Sequence, residues 1–435
     1  MAVVVAYVGS QFVDVTLATV GDLVLSVQKV TAIVVLPLGA ILLRRLRWSS
    51  AIAATAAALS LAYVVAAGLG GQPAPTLASD LFALILNAIA ALVLYAALLD
   101  MPRPVQTFGR VWCFCAVVTS MLALGQVLGV VPLMNVPDEL LSRRLTDSGL
   151  LRASGLKADP NFAAMMMTAG VAFTAVVVSR PLRLAARLAL FVGVAATLSR
   201  MGMIVAAVLL LASASAGTRR HRISSVRMIF LLPVAALLAI ILYGSLPPNV
   251  QMYVDARFWD LGRGAEYLLV GADVGTVDGS GVERADLLLG TLTIIAMNPL
   301  VGVGPNNLQG MLYANIGIDK GAHNTYLEIV AIGGIFGLFA IGVYVANLLG
   351  GLRRGRTLNW SSSDVRCAQL FCLAVGLMAA VLTIVYNAML WIPLTLACVI
   401  GADASSRVSG VVTVRSINGG RRWARSRNVR GKTGT

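Results

Sequence analysis

His323 is one of only two histidines in 435 residues. It stands where a Gly/Pro/Asn-rich loop gives way to an apolar run, within the stretch 302–336. Imidazole is the side chain whose ordinary pKa lies between pH 5 and 8, and the partial positive charge at a helix N-terminus disfavours its cationic form. A neutral His323 in that place can accept a proton. Tyr326, three positions on, shares its helical face. Arg200 and Arg284 are the candidate partners. Arg200 lies in Leu198-Ser199-Arg200-Met201-Gly202 between two short apolar runs, and Arg284 ends Gly279-Ser280-Gly281-Val282-Glu283-Arg284, the lead-in to an amphipathic segment. Guanidinium is planar, permanently charged and bidentate, which suits phosphate oxygens. Each of the three residues also has a plainer reading: a helix-capping histidine, a snorkelling Arg200, an Arg284 ion-paired with Glu283 or Asp286. His221, inside Arg219-Arg220-His221-Arg222, reads as a solvated surface residue.

The chain that must position these residues is a membrane chain by composition. It is 58% hydrophobic and 12% charged, about half the charged share of a soluble domain. Apolar runs near crossing length fall at 2–20, 23–43, 51–69, 81–99, 111–134, 162–178, 184–198, 201–216, 228–246, 324–349, 365–387 and 389–400, about twelve spans in all. The formal net charge of +15 would suggest nucleic acid in a soluble protein. Here no basic stretch is interleaved with stacking aromatics, so the excess reads instead as the positive-inside pattern and contact with anionic lipid. Arg44, Arg45 and Arg47, then Arg103 and Arg110, Arg180, Arg183 and Arg187, Arg219 to Arg227, Arg353 to Arg356 and the tail all fall on one side under this count. Both termini are therefore expected in the cytoplasm. Basic clusters at both ends of 184–216 require two short helices there, meeting at Ser199-Arg200, and an arginine buried at such a junction marks a functional site.

Two loops face the other side: 137–161, and the long segment 247–322 with eight acidic and four basic residues. Helices are expected within the latter at 285–297 and 305–313. The expected domains are a single transmembrane domain over 1–402, containing both loops, and a flexible basic cytoplasmic tail over 403–435. The five cysteines lie in or beside apolar runs and read as small hydrophobes. No Asp-x-Asp pair, Walker motif, dinucleotide fingerprint or nucleophile elbow occurs, so neither a metal nor a cofactor is expected.

Four motifs resemble the O-antigen ligase family of the bacterial inner membrane. They are Gly155-Leu-Lys-Ala-Asp-Pro-Asn161, Leu198-Ser-Arg-Met-Gly202, Gly302-Val-Gly-Pro-Asn-Asn307, and Ala322-His-Asn-Thr-Tyr-Leu327 followed by Gly333-Gly334-Ile-Phe-Gly337. The superfamily also holds O-antigen polymerases and protein O-oligosaccharyltransferases. The resemblance implies an all-α, polytopic glycosyltransferase of GT-C-like architecture, metal-independent, with a large periplasmic helical segment. It would move polysaccharide from undecaprenyl diphosphate to the lipid A-core sugar on the periplasmic face, inverting at the anomeric carbon. His323 is then the general base and Arg200 and Arg284 hold the diphosphate, with Arg257 or Arg263 as substitutes for Arg284. Arg152, Lys157, Asn161, Asn324 and Tyr326 are expected in support. The alternatives are a polymerase joining lipid-linked repeat units and, from another class, a flippase or transporter of lipid-linked glycans.

Overall fold

The computed structural model describes residues 1–14, 16–20, 23–42, 49–70, 74–133, 151–177, 179–214, 244, 248, 251, 252, 255, 259, 262, 266, 280–357 and 361–402. His221, Arg143, Arg144, Arg257, Arg263, most of the expected span 228–246 and the whole tail 403–435 lie outside these residues.

The described chain is helical apart from one small hairpin. In order come α1 (Ala2–Gln11), β1 (Thr16–Val20), β2 (Leu23–Ser26), α2 (Val27–Leu42), α3 (Ser50–Leu69), α4 (Ala74–Leu99) and α5 (Pro104–Val127). Then follow α6 (Pro160–Phe173), α7 (Arg180–Ala196), α8 (Arg200–Ala214), α9 (Ser280–Met297), α10 (Asn307–Ile316), α11 (Thr325–Thr357), α12 (Ser362–Ala379) and α13 (Ala388–Ala402). Four stretches are apolar and long enough to cross a membrane: Ser50–Leu69, Leu77–Leu99, Pro104–Val127 and Thr325–Thr357. Shorter apolar helices stand at Ala2–Gln11, Pro160–Val176, Arg200–Ser213 and Ala388–Ala402. The chain is thus a multi-pass membrane protein by its helices.

Three of the expected spans are interrupted. Residues 2–20 and 23–43 each read as one apolar run, yet β1 and β2 pair antiparallel, with Val20 opposite Leu23 and Thr19 opposite Val24. Hydropathy alone does not separate strand from helix, and the Thr/Val-rich sequence of β1 favours the strand. The run 365–387 likewise stops as a helix at Ala379, leaving 380–387 as a connecting segment before α13.

Aromatic packing fixes the helices behind the site. Trp112 on α5 stacks on Phe108 with ring centroids 5.5 Å apart and meets Phe371 of α12 edge-on at 5.1 Å. Phe173 at the end of α6 lies 5.1 Å from Phe371 and 5.5 Å from Phe108. Phe12, just past α1, completes the group against Trp112 at 5.0 Å. Pairs of this kind contribute about 0.5–1.5 kcal/mol each beyond area burial. Trp112 also donates its indole N–H to the Met166 carbonyl of α6 at 3.1 Å, so the indole nitrogen is not left unsatisfied.

The long helix α11 is broken at Gly334, whose φ of 56° and ψ of −135° no helix contains. The loop 300–304 fills the break. Val303 N donates to Ala331 O at 2.9 Å, Gly304 N to Ile332 O at 3.0 Å, and Ile335 N to Leu300 O at 3.2 Å. Backbone groups freed within an apolar span are tolerated only when protein satisfies them, and here a second segment does so. The approach leaves no room for side chains: a Cβ on Gly334 would lie 2.6 Å from the Leu300 carbonyl, and one on Gly302 would lie 2.3 Å from Ile332 O. Gly334→Val should therefore lower the melting temperature of the detergent-solubilised protein by several degrees, with about 1–3 kcal/mol from backbone strain alone. An unchanged Tm in a thermal-shift assay would show that the break is not built on this glycine.

Candidate active site

The segment joining α5 to α6 is held by buried amide chemistry. Gln126 of α5 accepts from Ser154 N at 3.1 Å and Gly155 N at 2.9 Å, and donates to Gly155 O at 2.8 Å. Ala153 N donates to Ala196 O at the end of α7. Asp159 then caps α6, accepting from Asn161 N at 2.6 Å and Phe162 N at 3.3 Å, with Pro160 in the first turn. These contacts fix Arg152 and Asn161 beside one another, with Arg152 Nη2 donating to Asn161 Oδ1 at 3.4 Å.

The α7–α8 junction is a tight turn, matching the two-helix reading of 184–216. Leu198 takes a positive φ of 53°, and the Ser199 hydroxyl accepts from Gly202 N at 3.4 Å to start α8. Arg200 is thus the first residue of α8. Arg284 comes from the first turns of α9, a helix whose neighbours Glu283 and Asp286 are charged. Glu283 is engaged by Lys320, which it meets in a close ion pair that ties α9 to the loop before His323.

These elements converge on one open cleft of about 530 Å³, lined by Arg152, Asn161, Ser199, Arg200, Arg284 and Leu382 among others. Three guanidinium groups from three separate elements share it. Burial lowers the pKa of Arg284, and the Arg200 and Arg152 charges lower it further, against an opposing pull from Asp159 and Glu283. Like charges gathered in a half-buried cleft are unfavourable until an anion joins them. Bidentate arginines of this kind suit phosphate oxygens above other anions.

His323 stands in the turn before α11 with φ of 49°; it and Leu198 are the two non-glycine residues with positive φ among the described residues. Strained backbone of this kind clusters at functional sites, and both examples here border the same region. Burial lowers the His323 pKa first, and the Arg284 and Lys320 charges lower it further, with Asp159 and Glu283 pulling the other way. His323 is therefore held neutral within electrostatic reach of Arg284. The helix N-terminus argued from sequence is not the leading cause; burial is.

The turn is anchored by its neighbours. Asn324 caps α11, its Oδ1 accepting from Tyr326 N and Leu327 N at 3.1 Å each. Thr325 Oγ1 accepts from Ile384 N at 3.0 Å and donates to Leu382 O. Tyr326 donates its hydroxyl to Gly376 O at 2.9 Å, and Glu328 accepts from the Thr383 hydroxyl. Asn324 and Tyr326 thus hold the histidine turn and do not line the cleft.

Of the residues singled out in the sequence, the fold brings Arg200, Arg284, Arg152 and Asn161 to one cleft; His323 is not among its lining residues but lies within electrostatic reach of Arg284. Lys157 goes elsewhere. It is 3% exposed, donates to Gln11 O at 3.3 Å and pairs with Asp14 at 3.8 Å, which ties the loop to the end of α1. Sequence reasoning missed the wall formed by Met378, Val381 and Leu382. Polar Thr383, Tyr386 and Asn387 within an apolar run were the signal that this span ends early.

The fold and cleft define a multi-pass membrane protein with an arginine-lined pocket and a histidine within electrostatic reach of Arg284. The O-antigen ligase family model matches residues 185–342, which span α7 to the middle of α11, and the match supports assigning the chain to that family. No curated protein matches the chain.

Proposed function

We propose that the chain is an O-antigen ligase of the inner membrane with GT-C-like architecture, both termini cytoplasmic and the cleft open to the periplasm. Its donor is a glycan on undecaprenyl diphosphate and its acceptor a sugar hydroxyl of lipid A-core. The observation that carries this reading is the convergence of Arg152, Arg200 and Arg284 on one cleft, with His323 within electrostatic reach of Arg284. The diphosphate binds the arginines. The acceptor oxygen gives its proton to the imidazole as it bonds to the anomeric carbon, the bond from that carbon to the diphosphate oxygen breaks, and its electron pair leaves with the diphosphate. Charge growing on the leaving group is met by Arg200 and Arg284, so no metal is required for that role. One displacement inverts the anomeric carbon.

The test is complementation. The chain should restore ladder-bearing lipopolysaccharide to cells lacking their O-antigen ligase, when supplied with the matching core and glycan. Rescue of cells lacking the polymerase instead, with no rescue of the ligase defect, would replace ligation by repeat-unit polymerisation.

A pH dependence follows from His323. Only the neutral ring accepts a proton, and its pKa lies below the ordinary value of 6.5. Activity should therefore hold at pH 6.5 and fall only as pH drops through the lowered pKa. Lys320→Gln removes a lowering charge and should move the acid limb of kcat/KM upward, whereas Asp159→Asn removes a raising charge and should move it downward. Asparagine retains the cap on α6. Acid limbs that coincide in all three proteins would dissociate the limb from His323.

A further inference from the structure

Glu328 is the one acidic residue of α11, and it sits in the first turn, five positions past His323. It is 7% exposed, and among the described residues no lysine, arginine or histidine pairs with it. A carboxyl group so placed at the head of an apolar span is costly, and such residues mark functional sites. One of its oxygens accepts from the Thr383 hydroxyl. The same oxygen lies 3.7 Å from the place a Cβ would take on Gly321, two residues before His323. Glu328 therefore reaches both the loop that carries His323 and the segment 380–387.

That segment is a fixed reference. It is non-helical between α12 and α13, yet Leu382, Ile384 and Val385 are buried. Non-helical backbone in a membrane bundle is tolerated only where protein surrounds and bonds it. Asn87 of α4 donates to Tyr386 O at 3.0 Å, and the Tyr386 ring meets Tyr63 of α3 edge-on at 6.1 Å. From α11, Thr325 bonds Leu382 and Ile384, and Glu328 bonds Thr383 between them. Thr325 fixes the start of the helix. Glu328, reaching Gly321, fixes the loop ahead of it.

The same segment borders the arginine cleft, where Val381 and Leu382 line it together with Arg200 and Arg284. The bond from Glu328 to Thr383 thus sets the histidine loop against a wall that the cleft shares. The imidazole registers that placement. Burial lowers its pKa, Arg284 of α9 and Lys320 of its own loop lower it further, and Asp159 at the cap of α6 and Glu283 of α9 raise it. A loop released from the wall would lose burial and distance itself from Arg284, so its pKa would rise toward the ordinary 6.5. Side chains that lock a reacting group in this way decide whether it meets its substrate in line.

We propose that Glu328 is a positioning residue for the transfer reaction, holding the 321–323 loop to the 381–384 segment through Thr383 so that the imidazole stays within reach of Arg284; this rests on the transferase reading of the arginine cleft. The experiment has two readouts on the purified full chain: glycan-transfer kinetics in proteoliposomes, and titration of His323 by NMR of ring-labelled histidine in a His221→Gln background. Glu328→Met should lower kcat by about 10–100-fold with KM little changed, and should raise the His323 pKa toward 6.5. Glu328→Gln keeps an acceptor for Thr383 and should match the wild type in both readouts. Thr383→Val removes the same bond from its other end and should reproduce Glu328→Met, so the test survives a Glu328→Met that does not fold. The proposal falls if these bond-breaking variants leave the His323 pKa at the wild-type value. It falls too if Glu328→Gln shifts that pKa as far as Glu328→Met does, for then charge and not the bond would matter. His323→Asn separates the two claims: a wild-type rate there defeats the general-base reading, while the titration still decides whether Glu328 sets the ring's place. Where His323→Asn is slow, a wild-type kcat in Glu328→Met overturns the positioning role.

Discussion

Arg284→Ala is expected to reduce kcat for glycan transfer by about 10²–10³-fold, the usual cost of removing one preorganised group from a developing anion. The side chain lines the cleft beside Arg200 and Arg152, so its loss removes charge where the proposed mechanism has the diphosphate leave. Folding should survive, because the Glu283–Lys320 ion pair that ties α9 to the histidine loop does not involve Arg284. Arg284→Lys should recover only part of the rate: an ammonium keeps the charge but loses the planar fork. The same change at Arg200 should behave alike. Rates are to be measured at saturating acceptor, with donor affinity followed separately, since the proposal also gives the arginines a part in donor binding. A wild-type kcat in Arg284→Ala would remove the leaving-group role.

His323→Asn is expected to lower kcat by about 10²–10⁴-fold, the contribution of general-base help. Asparagine is the informative substitution because it tolerates the left-handed backbone that His323 adopts at φ 49°. The turn before α11 should persist, with Asn324 still capping the helix and Thr325 still bonded to Leu382 and Ile384. Donor binding should be unchanged, since the arginines are untouched. A loss confined to KM would instead make His323 a binding group.

Several residues of this candidate site could be singled out before any fold was known. His323 and Arg200 stood out because each placed a rare or costly side chain at the edge of an apolar run, Arg284 because it leads into an amphipathic segment, and the break between α7 and α8 followed from basic clusters at both ends. Helices near 285–297 and 305–313 were legible too, and the fold has them at Ser280–Met297 and Asn307–Ile316. What sequence periodicity did not reveal was long-range. Arg152 reaches the cleft only because Gln126, twenty-eight residues before Ser154, binds its loop. Lys157 turns away because Asp14 and Gln11 of the amino-terminal region claim it. The broken α11 depends on Val303 and Gly304 docking onto carbonyls of another segment. Hydropathy also fused β1 and β2 into their neighbouring apolar runs, since Val and Thr are apolar enough for either element.

The most direct test of the account is release of undecaprenyl diphosphate by the purified chain in proteoliposomes, with lipid-linked glycan, lipid A-core and excess EDTA, comparing wild type with His323→Asn. The account predicts steady release by the wild type that needs both substrates, and release at least about 100-fold slower in the variant although donor still binds. Equal rates in the two proteins, or a wild type that is silent until magnesium is restored, would contradict it.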